Sequence, residues 1–143
     1  MAQHNQPADT LKTGTSKLES LLQAQLGLLT VQFLAGMALN LIGTPSSNIA
    51  KIGTNLILLL HVAIAVGLVA VAIRIGMATA GSGIDTKLAR FAGGAIGLAV
   101  LGGLLTMATP LTNVWSYVMS IGFIAAIGLY GRLYGLVLSQ PQR

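Results

Sequence analysis

The chain contains no cysteine among its 143 residues. That absence excludes disulfide bonds, thiolate nucleophiles, iron–sulfur clusters and cysteine-ligated zinc, because each of these requires a cysteine sulfur. Cysteine usage therefore rules out several kinds of site, although it does not indicate a redox compartment.

Charge is scarce as well, and acidic residues are the scarcest. Charged residues make up 8% of the chain, whereas a soluble domain carries about 25%. The only acids are Asp9, Glu19 and Asp85, and none lies inside a long apolar run. Their placement excludes paired-carboxylate hydrolysis and two-metal catalysis, and argues against an ion-coupled pump, which buries an acid in a span. We expect no enzyme activity and no metal site.

The formal net charge of +5 does not indicate nucleic-acid binding. The basic residues are scattered singly between hydrophobic runs, so no dense patch could follow a phosphate backbone. The segment Gly81-Ser82-Gly83 lacks the lysine of a phosphate-binding loop and is typical of a flexible turn.

Hydrophobic residues account for 54% of the chain and are concentrated in four long runs. Each run holds about 20 or more residues, the length needed to cross a hydrocarbon core roughly 30 Å thick. We therefore predict an all-α integral membrane protein, in which two antiparallel transmembrane hairpins form a four-helix bundle. The runs are Leu21–Ile42, Ile52–Ile75, Leu88–Met107 and Val114–Leu138.

Local signals suggest where the helices begin and end. Ser16 and Glu19 have the spacing of a capping box, which predicts the start of the first helix and leaves residues 1–15 as a disordered polar tail. Gly- and Pro-containing segments at 43–48, 80–83 and 109–113 predict loops, and Asp85 or Thr86 is a candidate N-cap. The predicted helices are about 16–42, 52–77, 86–108 and 113–138, within one domain at 16–138 followed by a short tail at 139–143.

The basic residues also predict orientation. Lys51 is the single basic residue on one side of the predicted membrane, and the positive-inside rule places the richer side in the cytoplasm, with both termini. Aromatic residues near both ends of the fourth helix, Trp115, Tyr117, Tyr130 and Tyr134, are consistent with interfacial belts. Seven basic residues lie on the richer side: Lys12, Lys17, Arg74, Lys87, Arg90, Arg132 and Arg143.

Small residues follow helical spacing in the third and fourth runs. Small side chains let membrane helices approach closely, so this face is expected to pack against a helix while Phe91 and Leu98 face lipid. Packing within one protomer is the simpler interpretation, and a homo-oligomer or a larger membrane complex is the alternative. The candidate packing residues are Gly93, Gly97, Gly103, Gly122 and Ala126.

Four polar residues within the spans are candidates for a site: Gln25, Gln32, Asn40 and His61. They are expected to face inward, because an unpaired polar group facing lipid is costly. In antiparallel neighbours Gln32 and His61 lie at similar depth, which predicts a hydrogen bond between them. The simpler interpretation is a polar contact that fixes helix register.

The alternative interpretation makes His61 functional, since an ionisable residue inside a membrane indicates a functional site by default. His61 and Met119 could be axial ligands of haem b, or His61 could be the gate of a small-solute permease. A single histidine in the spans does not supply the usual two imidazoles, and we expect no cofactor. The favoured function is a non-catalytic accessory or scaffold subunit, whose partners are the bilayer and either itself or a larger membrane complex.

Overall fold

The computed structural model describes residues 6–42, 45–80 and 84–140, which form four α-helices. None of these residues lies in a β-strand. His4, the predicted turn at Gly81–Gly83 and Arg143 fall outside the described residues. The helices are α1 Gln6–Ile42, α2 Asn48–Thr79, α3 Thr86–Ala108 and α4 Thr112–Leu138.

All four helices are long and apolar enough to cross a membrane. Even the shortest, α3, has 23 residues, and at 1.5 Å per residue it extends about 35 Å, more than the ~30 Å hydrocarbon core. The prediction of an all-helical chain with four helices of membrane-spanning length is therefore confirmed.

Two helices begin earlier than predicted. α1 begins at Gln6 rather than Ser16, so Ser16 does not cap it and the described part of the predicted tail continues the helix. A proline at position 7 does not prevent this, because the first turn of a helix tolerates a missing N–H. α2 begins at Asn48 because Ser47 is its N-cap, and the Ser47 hydroxyl accepts the Ala50 N–H at 3.2 Å.

The start of α3 and the turn before α4 agree with the prediction. Asp85 is the N-cap of α3, and its Oδ1 accepts the Lys87 N–H at 2.9 Å. The backbone N–H of Thr109 donates to the Leu105 carbonyl and ends α3, after which α4 begins at Thr112. Such short connections make sequence neighbours pack antiparallel.

Contacts between helices establish their directions. From Gln25 to Gln32 of α1, the partner on α2 moves back from Leu68 to His61. The pairing of α1 with α4 likewise runs in opposite directions, from Gln23 with Tyr134 to Phe33 with Phe123. We call the end that holds the start of α1 and the end of α4 the terminal end, and the end with the α1–α2 and α3–α4 connections the hairpin end.

The helices form a ring in which each contacts two neighbours. The described pairs are α1 with α2, α2 with α3, α3 with α4, and α4 with α1, while α1–α3 and α2–α4 are diagonal and make no contact within the described residues. The buried face of α1 alternates steps of four and three residues, as in a left-handed bundle. That face consists of Leu18, Leu22, Gln25, Leu29 and Gln32.

Burial of the α1–α2 hairpin is concentrated toward the terminal end. Within the described part of α1, no residue beyond Gln32 is buried, and within α2 none before Ile64. Toward the hairpin end the close contacts belong to α3 and α4, at Gly102 and Gly122. The polar residues Gln32 and His61 therefore lie at the boundary where the packed core of α1 and α2 stops.

Candidate functional site

The centre of the candidate site is a polar contact between α1 and α2. Gln32 Nε2 lies 3.0 Å from His61 Nε2. With the amide donating, His61 Nε2 supplies the lone pair and the ring proton resides on Nδ1. His61 Nδ1 and Gln32 Oε1 are both buried and have no hydrogen-bond partner within the described structure. The pair therefore keeps one unused donor and one unused acceptor.

A glycine on α1 makes room for the imidazole. A Cβ placed on Gly36 would lie 3.4 Å from His61 Cε1 and 3.9 Å from Nδ1. The α1 backbone therefore covers this edge of the ring, and Gly36 permits the approach that brings Gln32 and His61 together.

A second polar group lies nearer the terminal end, around Gln25. Its Nε2 donates to the Leu68 carbonyl at 3.3 Å, and its Oε1 has no partner. The Tyr130 hydroxyl of α4 lies beside Gln25 but is buried without a hydrogen bond of its own. Closer still to the terminal end, Gln23 Nε2 donates to the Tyr134 hydroxyl at 2.9 Å. Glutamines of α1 thus contact α2 and α4.

Asn40 does not join this group. It is exposed, two helical turns beyond Gln32 toward the hairpin end. Gln25, Gln32 and His61 form the polar contacts of α1 with α2, and Asn40 faces the surroundings of the protein.

The structure gives no described contact between His61 and Met119. These residues belong to α2 and α4, which are diagonal in the bundle. The Met119 sulfur lies 3.5 Å from where a Cβ on Gly103 would be, so its side chain packs on α3. In the described residues no group of three or more His, Cys, Asp or Glu side chains could hold a metal ion.

The chemistry available at His61 follows from these contacts. Iron ligation needs a free imidazole nitrogen, whereas Nε2 contacts Gln32 and the α1 backbone lies along the Nδ1 edge. No carboxylate contacts the ring among the described residues, so the third member of a nucleophilic triad is missing. The arrangement is suited to fixing helix register and to binding water or one small polar group.

The candidate packing residues divide into two sets. Three contact the neighbouring helix: a Cβ on Gly122 would lie 2.8 Å from the Ala99 backbone nitrogen, a Cβ on Gly103 would lie 3.5 Å from the Met119 sulfur, and Ala126 is fully buried. A Cβ on Gly93 or Gly97 would meet nothing within 4 Å, because both glycines line an open groove between α2 and α3. The α3 glycine in tightest contact with α4 is one the sequence pattern did not single out, Gly102.

The prediction that Tyr130 belongs to an interfacial aromatic belt is wrong. It is 0% exposed and belongs to the core, whereas Tyr117 near the other end of α4 is 72% exposed. The helical spacing of Ala126, Tyr130, Leu133 and Val137 places all four on one face, and that signal identifies Tyr130 as a core residue.

The opposite face of α4 is exposed, with three glycines toward the terminal end and the large side chains of Ile121 and Ile124 in the middle of the helix. Gly128, Gly131 and Gly135 share one side of the helix at spacings of three and four residues, and a Cβ on any of them would meet nothing within 4 Å. Tyr117 and Ser120 continue the same side toward the hairpin end, where a shallow hollow of about 410 Å³ includes both. We call Tyr117, Ser120, Gly128, Gly131 and Gly135 the α4 outer face.

Comparison with known proteins identifies no relative of this chain. No protein-family model, curated protein or solved structure matches it significantly. Its function is therefore inferred from its own residues: the polar contacts of α1, the close approach of α3 to α4, and the α4 outer face.

Proposed function

We propose that this protein is a non-catalytic accessory or scaffold subunit of a membrane assembly, and that it binds its partner through the α4 outer face. The observation that supports the proposal most directly is the exposure of three glycines on the side of α4 opposite its buried residues. Within one protomer these glycines have no neighbour whose close approach would explain them.

Small residues on an outward face are suited to helix association in lipid. Lipid tails are as apolar as leucine, so membrane helices associate through close packing and hydrogen bonds rather than through the hydrophobic effect. Gly131 and Gly135 have the four-residue spacing that lets two backbones approach. Tyr117 and Ser120 add hydroxyl groups that a partner helix could bind.

The described side chains also support a non-catalytic role. The polar groups at the α1–α2 boundary are amides and one imidazole, and the acids Glu19 and Asp85 lie at the terminal end. Neither acid is placed to activate His61. A subunit that acts by packing needs no such group.

We further propose that the terminal end faces the cytoplasm. Among the residues whose exposure the structure describes, five exposed basic residues lie toward that end, and Lys51 is the single one at the hairpin end. Reporter fusions at each terminus and in the α2–α3 connection should score cytoplasmic, because basic residues near the spans are retained there. A C-terminus on the other side of the membrane would contradict this orientation. The five residues are Lys17, Arg74, Lys87, Arg90 and Arg132.

Disulfide cross-linking tests the α4 outer face, and the cysteine-free chain provides a clean background. Gly131→Cys should form a covalent dimer in native membranes if the partner is a second copy. The matched control is Phe91→Cys, which places the thiol on an exposed position of α3. Cross-linking at both positions alike would indicate random collision.

A second measurement covers a partner of another sequence. The wild-type chain should co-purify with its partner in fixed stoichiometry, and Gly131→Leu with Gly135→Leu should release that partner. The same double variant should unfold at the wild-type temperature, since the added side chains meet open space within the protomer. The proposal would be refuted if Gly131→Cys formed no covalent dimer and the wild-type chain also retained no other subunit.

The unused polar atoms at His61 favour one alternative function, a small-ligand protein. His61 Nδ1 and Gln32 Oε1 are buried without partners, and such groups usually bind water or a ligand. Haem ligation would additionally require His61 Nε2 to give up its contact with Gln32, and the Met119 side chain of α4 to give up its contact with α3. We therefore favour the scaffold function over haem b binding and over a permease gated by His61.

Visible absorption of the purified protein separates these alternatives. A haem protein would show a Soret band that is lost in His61→Ala and altered in Met119→Leu. A colourless protein whose His61→Ala variant still retains its partner would support the scaffold function.

A further inference from the structure

The groove between α2 and α3 has a volume of about 260 Å³ and opens near the terminal end of the bundle. Its lining is apolar apart from one residue, Arg90. Three glycines give it its width, and a Cβ on any of them would meet nothing within 4 Å. These glycines are Gly76, Gly93 and Gly97.

Arg90 lies close enough to the start of α3 for its long side chain to reach lipid headgroups. It is the fifth residue of α3, about 6 Å along the axis from Thr86 at 1.5 Å per residue. Its side chain is exposed and has no ion-pair partner within the described residues. From Arg90 the groove continues along α3 to Gly97, about 10 Å toward the middle of the bundle. The Arg90 guanidinium thus lies at one end of an apolar groove.

We infer that this groove binds one anionic phospholipid, with an acyl chain between α2 and α3 and its phosphate at Arg90. The groove belongs to spans of membrane-crossing length, so the molecules that reach it are those of the bilayer. Basic pockets between membrane helices bind anionic headgroups through the charge of Lys or Arg. The inference does not depend on the α4 outer face.

Charge complementarity favours a lipid over a partner helix as the occupant. An apolar helix seated in the groove would cover the guanidinium without neutralising it, which is costly in lipid. A phospholipid fills the groove with hydrocarbon and pairs the guanidinium with phosphate. Two further exposed cations, Arg74 and Lys87, lie toward the same end but do not line the groove, so the phosphate contact is assigned to Arg90.

Lipid competition measured by native mass spectrometry tests the inference. The full-length chain in detergent is incubated with equal amounts of palmitoyl-oleoyl phosphatidylglycerol and phosphatidylcholine, which differ only in headgroup. The wild-type protein should retain one phosphatidylglycerol over phosphatidylcholine by about fivefold, the effect of one basic residue near a membrane surface. Arg90→Gln should bring that ratio close to one, and Arg90→Lys should keep most of it.

Matched variants separate a site from diffuse surface charge. Lys87→Gln removes the same charge one turn away but outside the groove, and it should leave the preference nearly unchanged. Gly97→Leu fills the groove and should weaken retention of both lipids, whereas Gly94→Leu, on an exposed position outside the groove, should not. Gly93→Leu replaces Gly97→Leu if circular dichroism shows that the latter does not fold.

Three results would overturn the inference. One is equal retention of the two lipids by the wild-type chain. Another is an equal loss of preference in Arg90→Gln and Lys87→Gln, which would indicate diffuse charge. The third is unchanged lipid retention in a groove-filling variant that folds. That result would mean that the acyl chain does not occupy the groove and that the lipid is one of those that surround the protein without a specific site.

Discussion

The α1–α2 and α3–α4 hairpins each consist of two helices of membrane-spanning length, but the two helices of one hairpin are held together by a different kind of contact from those of the other. In the α3–α4 hairpin the backbones touch: a Cβ on Gly102 would lie 2.6 Å from the Met119 backbone nitrogen. In the α1–α2 hairpin, side chains meet across the interface, with Gln32 contacting His61 and Gln25 contacting the Leu68 carbonyl.

This difference follows from what holds helices together in lipid. Because burial of apolar surface gives little driving force there, a pair of helices needs either close backbone packing or hydrogen bonds between side chains. Glycine supplies the first in α3 and α4, and glutamine with histidine supplies the second in α1 and α2. The two hairpins should therefore be sensitive to different substitutions.

The largest effect is expected from adding one methyl group to the α3–α4 interface. Gly122→Ala places its Cβ 2.8 Å from the Ala99 nitrogen and 2.9 Å from the Ala95 oxygen, so the helices must separate. We expect the free energy of unfolding to fall by about 3 kcal/mol, which is at the upper end of the effects measured for overpacked cores. Thermal unfolding in detergent, followed by circular dichroism, measures it.

Gly94→Ala is the matched control for this substitution. It makes the same chemical change on an exposed position of α3, where the added Cβ meets nothing within 4 Å. Its unfolding temperature should equal or exceed that of the wild type, since alanine favours helix over glycine. Equal behaviour of the two variants would mean that α3 and α4 are not in backbone contact at Gly122.

A smaller effect is expected at the α1–α2 interface. A double-mutant cycle of Gln32→Leu and His61→Leu should give a coupling of about 0.6–1.7 kcal/mol, the range for hydrogen bonds between membrane helices. Asn55 on α2 is exposed, so Gln32→Leu and Asn55→Leu should be additive. Additivity of Gln32→Leu with His61→Leu would show that the two side chains do not interact.

Features that depend on length and periodicity could be predicted from the sequence. Four apolar runs predict four helices, and short connections between them predict antiparallel neighbours. From these alone, Gln32 and His61 are expected at similar depth, and the structure places their Nε2 atoms 3.0 Å apart. Asp85 could be recognised as a cap because its side chain bonds backbone two residues ahead, a local interaction.

Features that depend on where helices cross could not be predicted in the same way. Periodicity groups Gly93 and Gly97 on one side of α3, but it does not say which side of the helix meets another backbone. The closest approach is at Gly102, about 140° round the helix from Gly97, where α3 faces α4, whereas Gly93 and Gly97 line the groove beside α2. The close helix contact that the sequence pattern predicted for Gly93 and Gly97 is therefore found at Gly102 and Gly122 instead.

The start of α1 was missed for a different reason. Polar composition is typical of both a disordered segment and an exposed helix, and a capping-box spacing at Ser16 favours a start that the backbone does not use. A capping motif supplies only a local preference of about 1 kcal/mol, which a continuing helix overrides.

The smallest effects are expected from removing single hydroxyl groups on α4, and they distinguish a bonded tyrosine from an unbonded one. The Tyr134 hydroxyl is partly exposed and accepts a hydrogen bond from Gln23 at 2.9 Å. Tyr134→Phe should therefore lower the free energy of unfolding by about 0.5 kcal/mol. The Tyr130 hydroxyl is buried without a partner, and Tyr130→Phe should be neutral or stabilising because it removes an uncompensated polar group. Both unfolding temperatures are measured in the same detergent. A Tyr130→Phe variant less stable than Tyr134→Phe would mean that the buried hydroxyl is satisfied, through water or a small reorientation, by the free oxygen of Gln25.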